Sequence, residues 1–204
     1  MNKSRILTLM MGTFLVFSAC QSSAPTVNPY DRPVTEIIAE TQMVDGRPYW
    51  IEYTPLDNEE YFYTNASATG NSTREQFTID QATNAASQTM AAKLEQRLQA
   101  LQKSFQETVT SGVDQNYDAT FSNVNKVTVN EAMNGTGPIK TKCYPMDQPS
   151  GSMNITCYSL VRMPVGPAKK AFENALSRDE ELYVKFKASK AYEELQNEFS
   201  ESKN

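Results

Sequence analysis

Histidine is absent from all 204 residues, tryptophan occurs once, cysteine three times and glycine eight times. Without imidazole there is no Ser–His–Asp or Cys–His nucleophile system, no imidazole zinc site and no imidazole pH switch. The cysteines, at 20, 143 and 157, never approach Cys-x-x-C spacing, so a redox pair or a cysteine-built zinc site is a poor reading. Positive charge is in the minority as well: 19 Lys plus Arg stand against 24 Asp plus Glu, for a net −5. That balance argues against a phosphate-binding surface and so against nucleic acid as a partner. No stretch reaches the length of a membrane-spanning helix. With 39% hydrophobic and 21% charged residues, the chain has the composition of one globular domain with additional segments.

The strongest signal lies in the first twenty residues. Lys3 and Arg5 form a short positive region, and fourteen mostly apolar residues follow from Ile6 to Ala19, ending at Cys20. A charged start, a short apolar core and a small-residue end describe a secretory signal peptide. Phe17-Ser18-Ala19-Cys20 resembles the lipobox of bacterial lipoproteins, with Phe17 in place of the leucine usually found three residues before the cysteine. The resemblance implies that Cys20 becomes an acylated N-terminus, and Gln21 after it resembles the pattern of lipoproteins forwarded to the outer membrane. Removing residues 1–19 takes away Lys3 and Arg5, moving the net charge from −5 to −7. Two or three acyl chains anchor a protein firmly, since each buried methylene contributes about 0.8 kcal/mol.

Four segments follow from this reading: a signal peptide (1–19), a lipidated tether (20–45), an α+β domain (46–165) and a charged helical extension (166–204). In the tether, Pro25, Pro29 and Pro33 favour extended backbone, and Pro33 starts a helical turn through Val34–Ile38. Asp45-Gly46 marks a turn, Pro48 to Tyr53 reads as a short edge segment around a core Trp50, and Tyr61 to Ala68 reads as a strand bounded by Gly70. Ser72-Thr73-Arg74-Glu75 fits a capping box opening a long helix. Met90, Leu94, Leu98, Leu101, Phe105 and Val109 recur at helical spacing on one face, and Ala82, Ala85, Ala86, Ala91 and Ala92 let its first half sit close to a sheet. Gly112 breaks the helix, and Asp114 to Lys126 resumes as a weaker one before Val127-Thr128-Val129. Ile139 to Pro145 and Met153 to Met163 are strands around Asp147–Gly151. After Pro164-Val165-Gly166-Pro167 the chain is helical, divided by a second capping box at Ser177-Arg178-Asp179-Glu180, with Val184, Ala188, Ala191, Leu195 and Phe199 as its apolar stripe and a Glu181–Lys185 pair.

Motifs that would carry chemistry are scarce. Asp179-Glu180-Glu181 is better placed as acid in the first turn of a helix than as a cation site, and neither it nor Asp57 with Glu59-Glu60 has EF-hand spacing. Asn134-Gly135 and Gly137 suggest a turn rather than a phosphate loop. The sequons at Asn65, Asn71, Asn134 and Asn154 are products of an Asn- and Thr-rich composition. The Gln-, Asn- and Thr-rich region around the long helix reads as a solvated face. No metal, cofactor or catalytic residue is assigned. The aromatic residues between Tyr49 and Phe77 read as core and sheet packing, with a binding groove as the competing possibility.

Export brings the chain into an oxidising compartment, which predicts a disulfide between Cys143 and Cys157. Their positions average to residue 150, inside the proposed turn, so a hairpin centred there sets them directly opposite, with Cα atoms about 4.5–5.5 Å apart. Closing a 15-residue loop stabilises a fold by about 3 kcal/mol in the chain-entropy model.

The order of lipobox, spacer with Pro and Trp, strand, Ala-rich helix and strand hairpin resembles the Lpp-twenty family of bacterial outer-membrane lipoproteins. The matching stretch runs roughly from Pro48 to Pro164, closest at Phe62–Ala68, Ala82–Leu98 and Tyr158–Val161. The strand-to-helix turn lacks the family's second glycine or aspartate pattern, and the charged tail after Gly166 is long. The resemblance implies an α+β fold, a long helix packed on a short antiparallel sheet, here with a C-terminal helical extension. It implies an envelope role without known catalysis, since relatives include flagellar basal-disk components and surface antigens. Only Cys20, the lipidation position, carries over as a functional residue. The expectation is therefore a non-enzymatic outer-membrane lipoprotein, on the periplasmic face or the cell surface, that binds a protein partner or self-assembles. A periplasmic binding module whose aromatic segment lines a small apolar pocket, and a lipoprotein activator of a peptidoglycan enzyme, are the alternatives.

Overall fold

The structure, a computed structural model, describes residues 33–39, 43–108, 115–146 and 153–199. The signal peptide, Cys20, Val109, Gly112, Asp114 and the Asp147–Gly151 loop lie outside the described residues. The fold is α+β, with a long helix against a short antiparallel sheet, as the sequence predicts.

The N-terminal part is small but well packed. Helix α1 (Val34–Ile38) follows Pro33, whose extended backbone serves as the N-cap, and buries Ile37. Strands β1 (Met43–Val44) and β2 (Arg47–Pro48) are joined through Asp45 and Gly46, at φ 51° and 78°. Left-handed backbone at both central positions is the hairpin turn that Asp-Gly favours. The expected edge segment at Pro48–Tyr53 is instead one helical turn, α2 (Tyr49–Glu52). In a strand Trp50 and Ile51 would point to opposite faces. The helical turn buries Tyr49, Trp50 and Ile51 together, in a cluster with Ile37 and Leu160.

Strands β3 (Tyr61–Asn71), β4 (Gly137–Pro145) and β5 (Asn154–Pro164) form a sheet in the order β3-β5-β4, antiparallel throughout. Strand β5 is central, paired with β3 from Tyr61↔Pro164 to Asn71↔Asn154. The chain then enters a 3-10 turn (Ser72–Arg74) and α3 (Glu75–Thr108). Here the capping box is corrected: Asn71 is the cap, its Oδ1 accepting from the Thr73 amide at 2.9 Å. Ser72 donates its own amide to the Met153 carbonyl at 2.6 Å, which keeps it in line with the sheet.

Helix α3 is 34 residues, about 51 Å at 1.5 Å per residue, and does two jobs along its length. Its first half buries Thr78, Ala82 and Ala86 against the sheet, close enough for Thr64 Oγ1 to donate to the Ala86 carbonyl at 2.9 Å. Its second half buries Met90, Leu94, Leu98, Leu101 and Phe105 against four further helices. The first of these, α4 (Gln115–Met133), was expected to end before Val127 but continues through it. Val127-Thr128-Val129 has strand propensity, yet Phe121, Val124, Thr128 and Ala132 are buried at helical spacing, and packing overrides local preference.

The C-terminal segment forms α5 (Val165–Leu176), α6 (Glu180–Lys187) and α7 (Lys190–Glu198). Three helices replace the expected two, because the chain breaks again at Ala188–Ser189. At the first break Asp179, not Ser177, is the cap, accepting from the Leu182 amide at 3.0 Å. The second break resets the helical phase and corrects the expected stripe. Val184 is 62% exposed and Ala188 is exposed, while Leu182 and Phe186 are buried in their place. Ala191, Leu195 and Phe199 are buried as expected, and all five join the core of Phe62, Phe105 and Phe121. The boundary placed between residues 165 and 166 falls in the first turn of α5, and the helices beyond it share the core of α3 and α4. Among the described residues no helix is long and apolar enough to cross a membrane.

Candidate functional site

Cys143 and Cys157 are disulfide-bonded, with S–S 2.01 Å. They are paired directly across β4 and β5, as the hairpin register predicts, and their Cα atoms are 4.0 Å apart, closer than expected. Cys157 is fully buried beside Ala82 and Ile155, on the sheet face that α3 covers. The pair is a structural staple between strands, with Cys157 buried and Cys143 half-buried.

The aromatic segment divides between cores rather than lining one surface. Trp50 fills the small core on the far face of the sheet, where the Trp50 and Ile51 carbonyls both accept from Asn65 Nδ2 at 3.1 Å. Phe62 enters the main core, and Tyr63 is also buried; burial pushes its phenol above the ordinary value. Phe77 is the exception, exposed on the first turns of α3.

Of the acidic groups singled out in the sequence, Asp57, Asp179 and Glu181 are held by cations, amides or a hydroxyl. Asp57 accepts from Lys93 Nζ at 2.7 Å, from Arg97 Nη2 at 2.6 Å and from the Tyr63 amide at 3.0 Å. Arg97 also stacks over Phe62, its guanidinium 4.4 Å from the ring centre. This clip ties the loop before β3 to the middle of α3. Glu181 accepts from Lys185 Nζ at 2.7 Å and from the Tyr117 hydroxyl at 3.0 Å, so its carboxyl is held below the ordinary range. Among the described residues no three Cys, Asp or Glu side chains converge to hold a metal ion.

Two surface features remain. The first is a groove of about 620 Å³ between α3 and α4, lined by Gln99, Gln102, Ser122, Asn125 and Asn130, with Glu95 and Lys126 as its charges. It exists because α4 turns its apolar stripe toward the core and its amides toward α3. Asp118 accepts from Gln102 and Gln106, tying the two helices together beyond the groove. The Gln- and Asn-rich region that composition predicts as a solvated face lines this groove, because a short connection brings the amides of two helices side by side.

The second is the edge of β3. Its first residues are occupied: Tyr61 exchanges hydrogen bonds with Asn58, and Tyr63 is held by Asp57 and Lys93. Asn65 to Asn71 continues as an edge with no charged side chain, Proline or bulge. The opposite edge, β4, carries Pro138, Lys140, Lys142, Pro145 and a bulge, the devices that discourage strand addition.

Comparison with known proteins adds no homologue to this geometry: no protein-family model matches the chain, and no curated protein matches its sequence.

Proposed function

We propose that this chain is a non-enzymatic lipoprotein of the outer membrane, anchored by acyl chains on Cys20 and acting through protein contacts in the cell envelope. The observation that carries the reading is the run from Lys3 and Arg5 through Ile6–Ala19 to Cys20. The Cys143–Cys157 disulfide supports export, because such bonds persist in oxidising compartments. The resemblance to the Lpp-twenty family between Pro48 and Pro164 supports the envelope role. The Asn65–Asn71 edge, which pairs with no further strand among the described residues, supports a contact role, since such an edge accepts a strand from a partner or from a second copy.

The test is intact mass and fractionation. The membrane form is expected to begin at Cys20 and to carry acyl additions, and a Cys20→Ala protein is expected to leave the outer-membrane fraction. A Cys20→Ala protein retained there as well as the wild type overturns the reading.

A further inference from the structure

We propose that the Asn65–Asn71 edge of β3 pairs antiparallel with the same edge of a second copy of this chain, joining two three-stranded sheets into one. The inference rests on the contact role given above and names the partner.

The hydrogen-bonding groups of the edge fix where such a pairing begins and ends. The β3–β5 register is unbroken, so the backbone groups of β3 point alternately toward β5 and away from it. Tyr63 marks the outward phase: its amide donates to Asp57 and its carbonyl accepts from Lys93 Nζ. Asn65, Ser67, Thr69 and Asn71 share that phase. The outward groups of Asn65, Ser67 and Thr69 have no partner among the described residues. With Tyr63 taken, a two-fold pairing that uses every outward residue from Asn65 to Asn71 has its centre at Ala68. Ser67 then stands opposite Thr69 of the other copy, and Asn65 opposite Asn71.

The sequence is a chemical palindrome about that centre. Asn65-Ala66-Ser67-Ala68-Thr69-Gly70-Asn71 sets amide against amide, hydroxyl against hydroxyl and small residue against small residue. Facing hydroxyls are a favourable cross-strand pair. In a two-fold contact a charge near the axis meets its own kind, and this segment carries none. A strand from another protein would need neither the symmetry nor the neutrality, which favours a second copy.

Helix α3 fits the same symmetry. Thr64 Oγ1 donates to Ala86 of α3 and Thr83 Oγ1 of α3 donates to Ser159 of β5 at 3.0 Å, so α3 lies over the line between β3 and β5. With strands about 4.8 Å apart, the two-fold brings the two α3 axes to about 10 Å, a helix-packing distance. The flank of α3 beside the edge is neutral: Phe77 and Gln81 line one trough between β3 and α3, Ala92 and Gln96 another. The charges at these troughs are Arg74, beyond the end of the strand, and Lys93, which is held by Asp57. Phe77 is 58% exposed in the single chain. Ala82 packs with Ala68 at the axis, which places Phe77, little more than one turn away, against α3 of the second copy.

The experiment measures the mass of the purified full chain in detergent by sedimentation equilibrium. A dimer is expected, with a dissociation constant of about 10 μM or tighter. Ser67→Lys with Thr69→Lys, both at exposed positions, sets like charges directly opposite and is expected to weaken the dimer about tenfold or more. Ser67→Lys with Thr69→Glu sets opposite charges on the same pairs and is expected to dimerise as the wild type does. Phe77→Ser, at an exposed position on the helix, is expected to weaken the dimer about tenfold with the melting temperature of the dilute monomer unchanged. A wild type that is monomeric at about 100 μM, a dimer indifferent to the two lysines or to Phe77→Ser, or equal loss in both charge pairs overturns the proposal. All these proteins share one anchor, so a monomer that still fractionates with the outer membrane sinks the dimer alone, and a dimer that does not fractionate there sinks the anchor alone.

Discussion

Gly70 lies directly against Thr78: a Cβ built on Gly70 would collide with the Thr78 hydroxyl and sit 3.2 Å from its Cβ and Cγ2. Thr78 is fully buried, and its hydroxyl donates to the Arg74 carbonyl at 3.2 Å. The last residues of β3 and the first turn of α3 therefore touch without a side chain between them. Gly70→Ala should destabilise the protein by about 1–3 kcal/mol through overpacking. Adding Thr78→Ala should recover part of that loss, and a coupling energy below about 0.5 kcal/mol in urea unfolding would show that the contact is not the cause.

In the C-terminal helices, Leu195 is fully buried and Val184 is 62% exposed. Leu195→Ala should cost about 2–5 kcal/mol, whereas Val184→Ala should stay within about 0.5 kcal/mol. Chemical denaturation of the two variants distinguishes this packing from a single continuous stripe, in which both would be costly.

The disulfide should contribute about 3 kcal/mol by closing a 15-residue loop in the unfolded chain. The urea midpoint is expected to fall on reduction and to fall equally in the Cys143→Ser, Cys157→Ser double variant. Peptide mapping without reductant should recover the two cysteines as one cross-linked species; labelling of both by an alkylating reagent in the exported, unfolded protein would contradict it.

Asp57 accepts from both Lys93 Nζ and Arg97 Nη2, and its side chain is 16% exposed. Asp57→Ala strips an acceptor from two cations and from the Tyr63 amide, at a cost of about 1–3 kcal/mol, discounted because the cations keep access to water. Cleavage by a protease in the loop at 54–60 should rise with it. Asp57→Asn, which keeps an acceptor oxygen, should cost less.

Glu181 sets a pH dependence of known sign. Its carboxyl is depressed first by the hydrogen bond from Lys185 and next by that from Tyr117. A depressed carboxyl gives stability above the unfolded-state value of about 4.3, lost as pH falls through the lower folded value. Melting temperatures of wild type and Glu181→Gln should therefore differ at neutral pH and converge in acid. A gap that widens in acid would reverse the assignment.

Much of the fold was legible because its signals are local or periodic. The four- and three-residue steps from Met90 to Phe105 specify one buried helix face, and Asp45-Gly46 can take the left-handed backbone that a tight hairpin needs. The midpoint between Cys143 and Cys157 fixed the β4–β5 register, since period-two strands allow no half-steps. Other features depend on what lies opposite. Tyr49–Glu52 coils because Leu160 and Ile37 offer one site for three side chains, and no pattern in its own four residues says so. Val127–Val129 stays helical because α5 and the core hold Val124, Thr128 and Ala132 on one side. The phase of the tail turns on a break at Ser189, which exchanges Val184 for Phe186 at the core. The α3–α4 groove belongs wholly to this second kind: Gln102 and Asn125 are 23 residues apart, and their amides meet only when two separate apolar stripes have been buried. Periodicity tells which side of an element is hidden; which partner hides it, and what polar groups are thereby left facing each other, is decided by packing between elements distant in the chain.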